Sequence, residues 1–496
     1  MEKSNSKNSI SYRTAIKIFR TMDELQLEKF EIFLRSEFFN ISQDVQIIFQ
    51  CIKENLPDPL FIGFEKKALN LLFSKKNNGK KVTPKLTLQL NDAIERFLII
   101  HQLNQEDFYQ KHFLQKSYVN QGLIDLFKKT SKKISTKLSE NKTYDHSFHL
   151  KNFLIHESVY FHSSTEKNAT SIDSLEKMIE SLYAFYCMSR LRIGIEMSLR
   201  KNFIEENKEL PGLEEALNFA HASESQHFQF YALLLELIQE TESFQEGKFE
   251  SIKNIFFEKI KLWKLSDQKN ILQFLINYVT SFLNKGNKEI FPIQLDLFKF
   301  GLTRKLLFNE NNLMSYSSFS NVLSTFLACK NFDEANIFVS NYKKHLEQAI
   351  RKDAARFSEG YIAMIKNDFT TAIQKLMLVS QKTDIFKLQV VCFLLRASFE
   401  QYLIEDNYKT LLDSSLRRFK NYFKKNNVIA KERAIGFFNL SKTINDFFQI
   451  LENTPIKKQR TLKLKALLTA LENETDPIMM KPWLTQKLQQ ELKRRK

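Results

Sequence analysis

The sequence predicts an all-α protein, an α-hairpin solenoid with an N-terminal helical subdomain, and three observations predict it. Gly and Pro are scarce, 10 and 8 residues in 496, against usual frequencies of roughly 7 and 5 per cent. Sheet proteins and Gly-loop α/β enzymes need turn residues in quantity, and this chain does not have them. Apolar residues recur at helical steps nearly throughout, as in Leu86, Leu90, Ile94, Phe97 and His101, and no run of strict alternation demands a strand. The breaks are short and polar: KKNNGKK at 75–81, SSTEKNATS at 163–171, KELPG at 208–212, NKGNKE at 284–289 and NETDP at 473–477. Breaks of that length join packed helices, and 46 phenylalanines supply the volume between them.

From the N-terminus, residues 1–8 read as a disordered tail and residues 9–104 as a helical subdomain. Within LEKFEIFLRSEFFN, residues 27–40, Leu27, Phe30, Phe33 and Leu34 make the apolar face of one helix. Ser42 is placed to cap the next, with Asp44 in its first turn, where an anion suits the helix dipole. That second helix offers Val45, Ile48, Phe49 and Ile52 to the core. The connection is too short to leave the interface, so Phe38 and Phe39 are both expected to fold back and plug the corner. Further along, Leu175, Ile179, Leu182 and Tyr186, then Tyr231, Leu234 and Ile238, mark the inner faces of two more helices.

Residues 105–450 read as a helical-repeat array, and 451–496 as a helical C-terminal cap with a basic tail. KNFDEANIFV at 330–339 and NDFTTAIQKL at 367–376 each place a small residue three positions after an aromatic, with Phe332 and Phe369, and Ala335 and Ala372, 37 apart. DNYKTLLDSS at 406–415 repeats the form with Tyr408, although Leu411 replaces the alanine. GLEEALNF at 212–219 and GKFESIKN at 247–254 match more loosely. Antiparallel helices approach closely only where a small side chain faces the partner, and an aromatic before the second helix closes the corner. With Gly360 twelve residues before Ala372, the array resembles degenerate tetratricopeptide repeats, a stack in which each hairpin touches its neighbours.

Chemistry is sparse. The chain contains no Gly-rich phosphate loop, no G-x-S-x-G elbow and no HExxH helix. Asp58, Glu65 and Lys67 imitate a metal-dependent nuclease, but such a site needs carboxylates on adjoining strands, and these flank the start of a helix. Glu224 and His227 make one Glu-x-x-His pair, read as one turn apart on a helix, without the second pair a di-metal bundle requires. His146, His149, His156 and His162 gather within 17 residues, yet do not keep one face and have no cysteine beside them. Cys51, Cys187, Cys329 and Cys392 are far apart in apolar helical contexts and read as four buried thiols. No catalytic, cofactor-binding or metal-ligating residue is therefore assigned, and no cofactor is expected.

The formal net charge is +17. A basic surface attracts nucleic acid, anionic membrane or acidic protein. Here Lys outnumbers Arg, which disfavours bidentate reading of phosphates and bases. The basic clusters are KKQRTLKLK at 457–465 and the closing KRRK. A helix-turn-helix reading with residues 85–103 as recognition helix has only Lys85 and Arg96 to read bases. No run approaches a membrane span, and the first residues contain no export signal, so a cytoplasmic location without membrane insertion is expected.

Three stretches also carry a family resemblance: LEKFEIFLRSEFFN, the Leu-rich KLTLQLNDAIERFLIIHQL at 85–103, and KPWLTQKL at 481–488. They resemble the opening, second and closing motifs of an uncharacterised family of bacterial all-helical proteins of about this length. In that family a Lys-Phe…Leu-x-Ser helix end precedes proline, an aromatic, Phe and Asn; here Glu37 replaces the proline, while Phe38, Phe39 and Asn40 fit. The resemblance implies an all-helical fold and no activity. Together these readings predict a non-enzymatic protein–protein interaction scaffold whose unknown, possibly acidic, protein or peptide partner lies in a helical groove. The alternative is a nucleic-acid-associated protein using its basic surface; oligomeric state is left open.

Overall fold

A computed structural model describes residues 12–57, 61–140, 144–161, 172–201, 210–380, 384–425 and 431–494. The tail expected over 1–8, the break at 163–171, Lys208 and Glu209 of KELPG, and Asp58 and His162 lie outside the described residues. Among the described residues there are twenty-three α-helices, five single-turn 3-10 helices and no strand. The chain forms two compact units, Met1–Ser189 and Arg190–Lys496, the division falling inside one long helix.

The first unit contains α1 (Tyr12–Thr21), α2 (Glu24–Arg35), α3 (Gln43–Asn55), α4 (Phe61–Lys76), α5 (Pro84–Gln105), α6 (Asp107–Asn120), α7 (Ile124–Ser139), α8 (His146–Tyr160) and the start of α9 (Asp173–Lys201). α2 begins in a full capping box: Asp23 accepts from the Gln26 amide, and the Gln26 side chain accepts from the Asp23 amide. α5 begins on Thr83 with Pro84 at its first position, where a missing N–H costs nothing. Phe30 binds four helices together. Its ring lies 5.3 Å from Phe19 of α1, 5.0 Å from Phe49 of α3 and 5.1 Å from Phe97 of α5, the last two edge-on.

The aromatic corner after α2 divides its two rings. Phe39 packs into the core, 4.3 Å from Phe33, whereas Phe38 is 88 % exposed and meets only the edge of Phe39 among ring contacts. The expectation that both rings plug the corner is corrected. Glu37–Phe39 is a 3-10 turn ended by Asn40 at φ 46°, and so tight a turn aims consecutive side chains apart. Ser42 does stand at the N-cap of α3, but its hydroxyl makes no capping bond. Asp44 turns instead to Asn77 and Lys80.

In α9 the inner face is one residue out of step with the sequence reading. Ile179 is 68 % exposed and Leu182 is also exposed, while Met178, Ser181, Ala184 and Cys187 are buried. One contact fixes this orientation: Asn152 of α8 donates to the Ser181 hydroxyl at 2.6 Å, a bond that requires Ser181 to face inward.

The second unit continues with α10 (Leu213–Ala222), α11 (Gln226–Gln239), α12 (Glu246–Glu258), α13 (Leu265–Asn284), α14 (Phe291–Thr303), α15 (Tyr316–Ala328), α16 (Phe332–Tyr342), α17 (Arg351–Ile365) and α18 (Phe369–Met377). It ends with α19 (Asp384–Ile404), α20 (Lys409–Lys425), α21 (Lys431–Asn453), α22 (Lys457–Asn473) and α23 (Lys481–Arg494). From α13 onward, neighbours in sequence are neighbours in space.

How does a chain with ten glycines turn so often? It places Lys and Asn in the left-handed region. Lys330 after α15 (φ 58°) and Asn367 after α17 (φ 63°) occupy the usual glycine position. In each case the following amide reaches back into the helix, Asn331 to the Phe326 carbonyl and Asp368 to that of Ala363, both at 2.9 Å. These two turns are 37 residues apart, the spacing that separates Ala335 from Ala372. Ala335 and Ala372 are fully buried, and a Cβ on Gly360 would lie 2.8 Å from Leu376 Cγ. Small residues at these points let the helices close.

Of the four thiols, Cys51, Cys187 and Cys392 are buried as expected, while Cys329 is only half-buried, being the cap residue of α15. Burial pushes Cys392 up to about 12, so it is an inert core thiol.

Candidate functional site

The residue groups that the sequence offers as decoys stay dispersed. The side chain of Glu65 lies outside the described set, and Lys67 is exposed. Glu224 is not on a helix with His227; it stands in the exposed turn before α11. His227 is instead a core residue whose Nε2 lies 2.9 Å from the Leu262 carbonyl and whose ring packs on Trp263. His146, His149 and His156 all sit on α8, and among the described residues no three of them bring ligand atoms within a common coordination radius. Burial, with Lys177 next, holds His156 below the ordinary imidazole value. The outer face of α5 mixes Lys85 and Arg96 with Asp92 and Glu95. On α22, Leu464 is buried but Leu462 is exposed, and Arg460 is turned back to the Thr454 carbonyl.

A different group converges. From Val390 to Ile404, α19 is mostly apolar, and its only charged residues there are Arg396 and Glu400, one turn apart. α23 presents Trp483, Gln486, Lys487 and Gln490 at helical spacing on the same side. With Asn367 and Phe369 at the start of α18, these side chains line a cavity of about 760 Å³, within the usual range for ligand pockets. A second cavity of about 580 Å³ shares Leu403, Glu491 and Arg494 with the first and extends past Tyr402 to Glu452 and Arg460. The described cavities of the first unit are smaller, about 410 and 520 Å³.

Packing explains why the charges sit here. The C-terminal core, from Val391 through Phe399 and Phe447 to Leu488, fixes α19 against α23. Phe399 meets Trp483 edge-on at 6.0 Å. Glu400, only 5 % exposed, then has both oxygens occupied: Oε1 accepts from the Trp483 indole N–H at 2.7 Å, and Oε2 pairs with Lys487 Nζ at 2.6 Å. Such a buried carboxylate is tolerable because it is both paired and hydrogen-bonded.

Arg396 is treated differently. Its guanidinium lies over the Trp483 ring, 5.1 Å from the centroid, and its Nε finds no hydrogen-bond partner among the described residues. Burial pulls its pKa below the ordinary value; Glu400 and then Tyr361 oppose that shift. Four cations, Arg396, Lys487, Lys493 and Arg494, thus face two anions, Glu400 and Glu491. The arrangement can hold an anion beside an apolar group, since Leu403 and Ile404 form part of the same wall.

Trp483 and Lys487 lie in the KPWLTQKL stretch singled out in the sequence, but Arg396 and Glu400 were missed. Their signal was present: they are the only charged residues in VVCFLLRASFEQYLI. Across the molecule no helix is long and apolar enough to cross a membrane among the described residues. Comparison of the chain with protein-family models, with curated proteins and with solved structures finds no match.

Proposed function

We propose that this protein is a non-enzymatic interaction scaffold, an array of tetratricopeptide-like α-hairpins over residues 105–450 whose client is a protein or peptide. The equivalent turns at Lys330 and Asn367, with the same back-bonded amides and the same 37-residue spacing, support the repeat reading. The observation that carries the functional reading is the cleft between α19 and α23. It is polar, cationic and partly apolar, and its residues are committed to holding charge rather than to moving protons. Grooves of this kind in helical arrays bind chain segments. The family resemblance at both ends brings a fold without an activity and fits the same view.

Affinity capture of the tagged full chain from lysate, with and without nuclease and at two salt concentrations, tests it. A protein client retained through nuclease and moderate salt is the expected result. One observation favours the nucleic-acid alternative: Lys128, Lys129, Lys132 and Lys133 are exposed on α7, and none forms an ion pair among the described residues. If captured material is lost with nuclease, and binding falls steeply with salt as counterion release requires, that face replaces the cleft.

A further inference from the structure

We infer that the α19–α23 cleft is a receptor for an acidic peptide segment, with Arg396 as the group that takes its carboxylate; this rests on the scaffold reading and names the chemistry of the client. The argument is one of charge left over. A half-buried arginine such as Arg396 is ordinarily held by a carboxylate, and Glu400, one turn away on α19, is the natural candidate. Its two oxygens are already taken by Trp483 and Lys487. Arg396 is thereby left with a ring face below it and an Nε without a hydrogen-bond partner among the described residues. A guanidinium lying over a ring has N–H groups left with which to meet a carboxylate, whose planar pair of oxygens suits a fork-like contact.

The rest of the cleft selects a peptide over a bare anion. Leu403 and Ile404 offer an apolar wall, and Ile404 is 59 % exposed. The side-chain amides of Asn367, Gln486 and Gln490 line the same cavity, where they can both donate to and accept from a backbone. A nucleic-acid strand would find one aromatic ring here, already covered by Arg396, and no second stacking platform among the lining residues except the buried Phe369. Charge complementarity, four cations against two anions, fixes the sign of the occupant.

The test uses the full chain with Trp263→Phe, which leaves Trp483 as the only indole. Its emission is titrated with a degenerate ten-residue peptide pool having two fixed glutamates flanked by aliphatic and aromatic positions. The matching glutamine pool and a ten-nucleotide oligouridine are the comparison probes. Saturation by the glutamate pool is expected, at least tenfold tighter than by the glutamine pool. Arg396→Gln should weaken the glutamate pool tenfold or more, and Arg396→Lys, which keeps the cation but loses the fork, should fall between. Far-UV helicity of each variant confirms that it is folded.

Equal affinity of Arg396→Gln and its parent for the glutamate pool overturns the proposal. So does equal response to the two pools, or an oligouridine response that Arg396→Gln abolishes. Lysate capture separates this from the broader reading. Clients undiminished by Arg396→Gln sink the Arg396 site and leave the scaffold. A chain that captures no protein, yet binds the glutamate pool through Arg396, keeps the site and removes the scaffold.

Discussion

Two cores of the molecule, one in each unit, solve packing in opposite ways. In the first unit, the cluster from Ala15 to Phe97 is held by apolar side chains whose rings meet ring edges, and the polar residue buried beside it on α5, Asn91, is uncharged. In the second unit, the cluster from Val391 to Leu488 carries a carboxylate, an indole N–H and an ammonium on its flank. Stability alone does not ask for the second arrangement, because well-packed apolar residues of similar volume often do as well as a buried ion pair or better. The difference separates a core that only holds helices together from one whose edge also presents a surface.

The largest effect expected is in the apolar core. Phe30→Ala removes the ring that joins α1, α2, α3 and α5, and is expected to cost about 3–5 kcal/mol, the usual range for buried aromatic truncation. Hydrogen exchange across residues 24–55 reads the loss locally. Retained protection there would break the comparison, since the ring contacts would then not be what holds that core.

Next comes Glu400→Gln. It removes the anion that pairs with Lys487 and that acts on Arg396 only through space. Lys487 is partly solvated, at 21 % side-chain exposure, so the cost is expected below that of breaking a fully buried pair, at about 2 kcal/mol. Denaturation followed by Trp483 emission in the Trp263→Phe background measures it. If the variant were as stable as its parent, the charged flank would be energetically idle, and its charges would have to be explained by binding alone.

The first unit sharpens the contrast further, because around α6 and α7 its buried polar groups are neutral. Gln115 donates to the Ser131 hydroxyl at 2.7 Å, and His112 is buried one turn before it. Burial, and then Lys116, hold His112 below its ordinary value of 6.5; Gln115 and Glu157 oppose them. The sign follows from which state binds the proton. As pH falls through about 6.5, the unfolded chain protonates this imidazole before the folded one does. Its contribution is therefore complete above pH 6.5 and is lost as pH falls from there through the lower folded value. Between pH 7.5 and 5.5 the parent should lose more stability than His112→Gln, by no more than about 1.4 kcal/mol. Parallel pH profiles in chemical denaturation would mean that His112 titrates as it does in water.

Much of this was legible in the sequence, and the reasons differ by element. Helical spacing found the faces of α2, α3, α5 and α11 because large apolar residues fill them. The same spacing failed on α9, where the inner face runs through Met178, Ser181, Ala184 and Cys187, two of them small, and the large residues Ile179 and Leu182 face out. Periodicity counts hydrophobic bulk and is blind to close approach. The cleft was half legible. Trp483 was picked out with the KPWLTQKL stretch, whereas Arg396 and Glu400 are ordinary residues made unusual only by the largely apolar helix around them and by the helix that docks opposite.

Consecutive phenylalanines give the finest test of what a core requires. Phe38 and Phe39 share a composition, a neighbourhood and a 3-10 turn, and only their direction differs. Phe39 lies against Phe33 and belongs to the same packed cluster as Phe30 and Phe97. Phe38 offers its ring to water. Phe39→Ala should therefore lose about 2–3 kcal/mol, less than a fully buried ring because Phe39 is only half-buried. Phe38→Ser should stay within about 0.5 kcal/mol, as surface substitutions usually do. Urea denaturation of the two variants decides it. A cost at Phe38 matching that at Phe39 would mean the exposed ring is covered in solution, by another molecule or another conformation, and the aromatic corner would then be an interface as well as a plug.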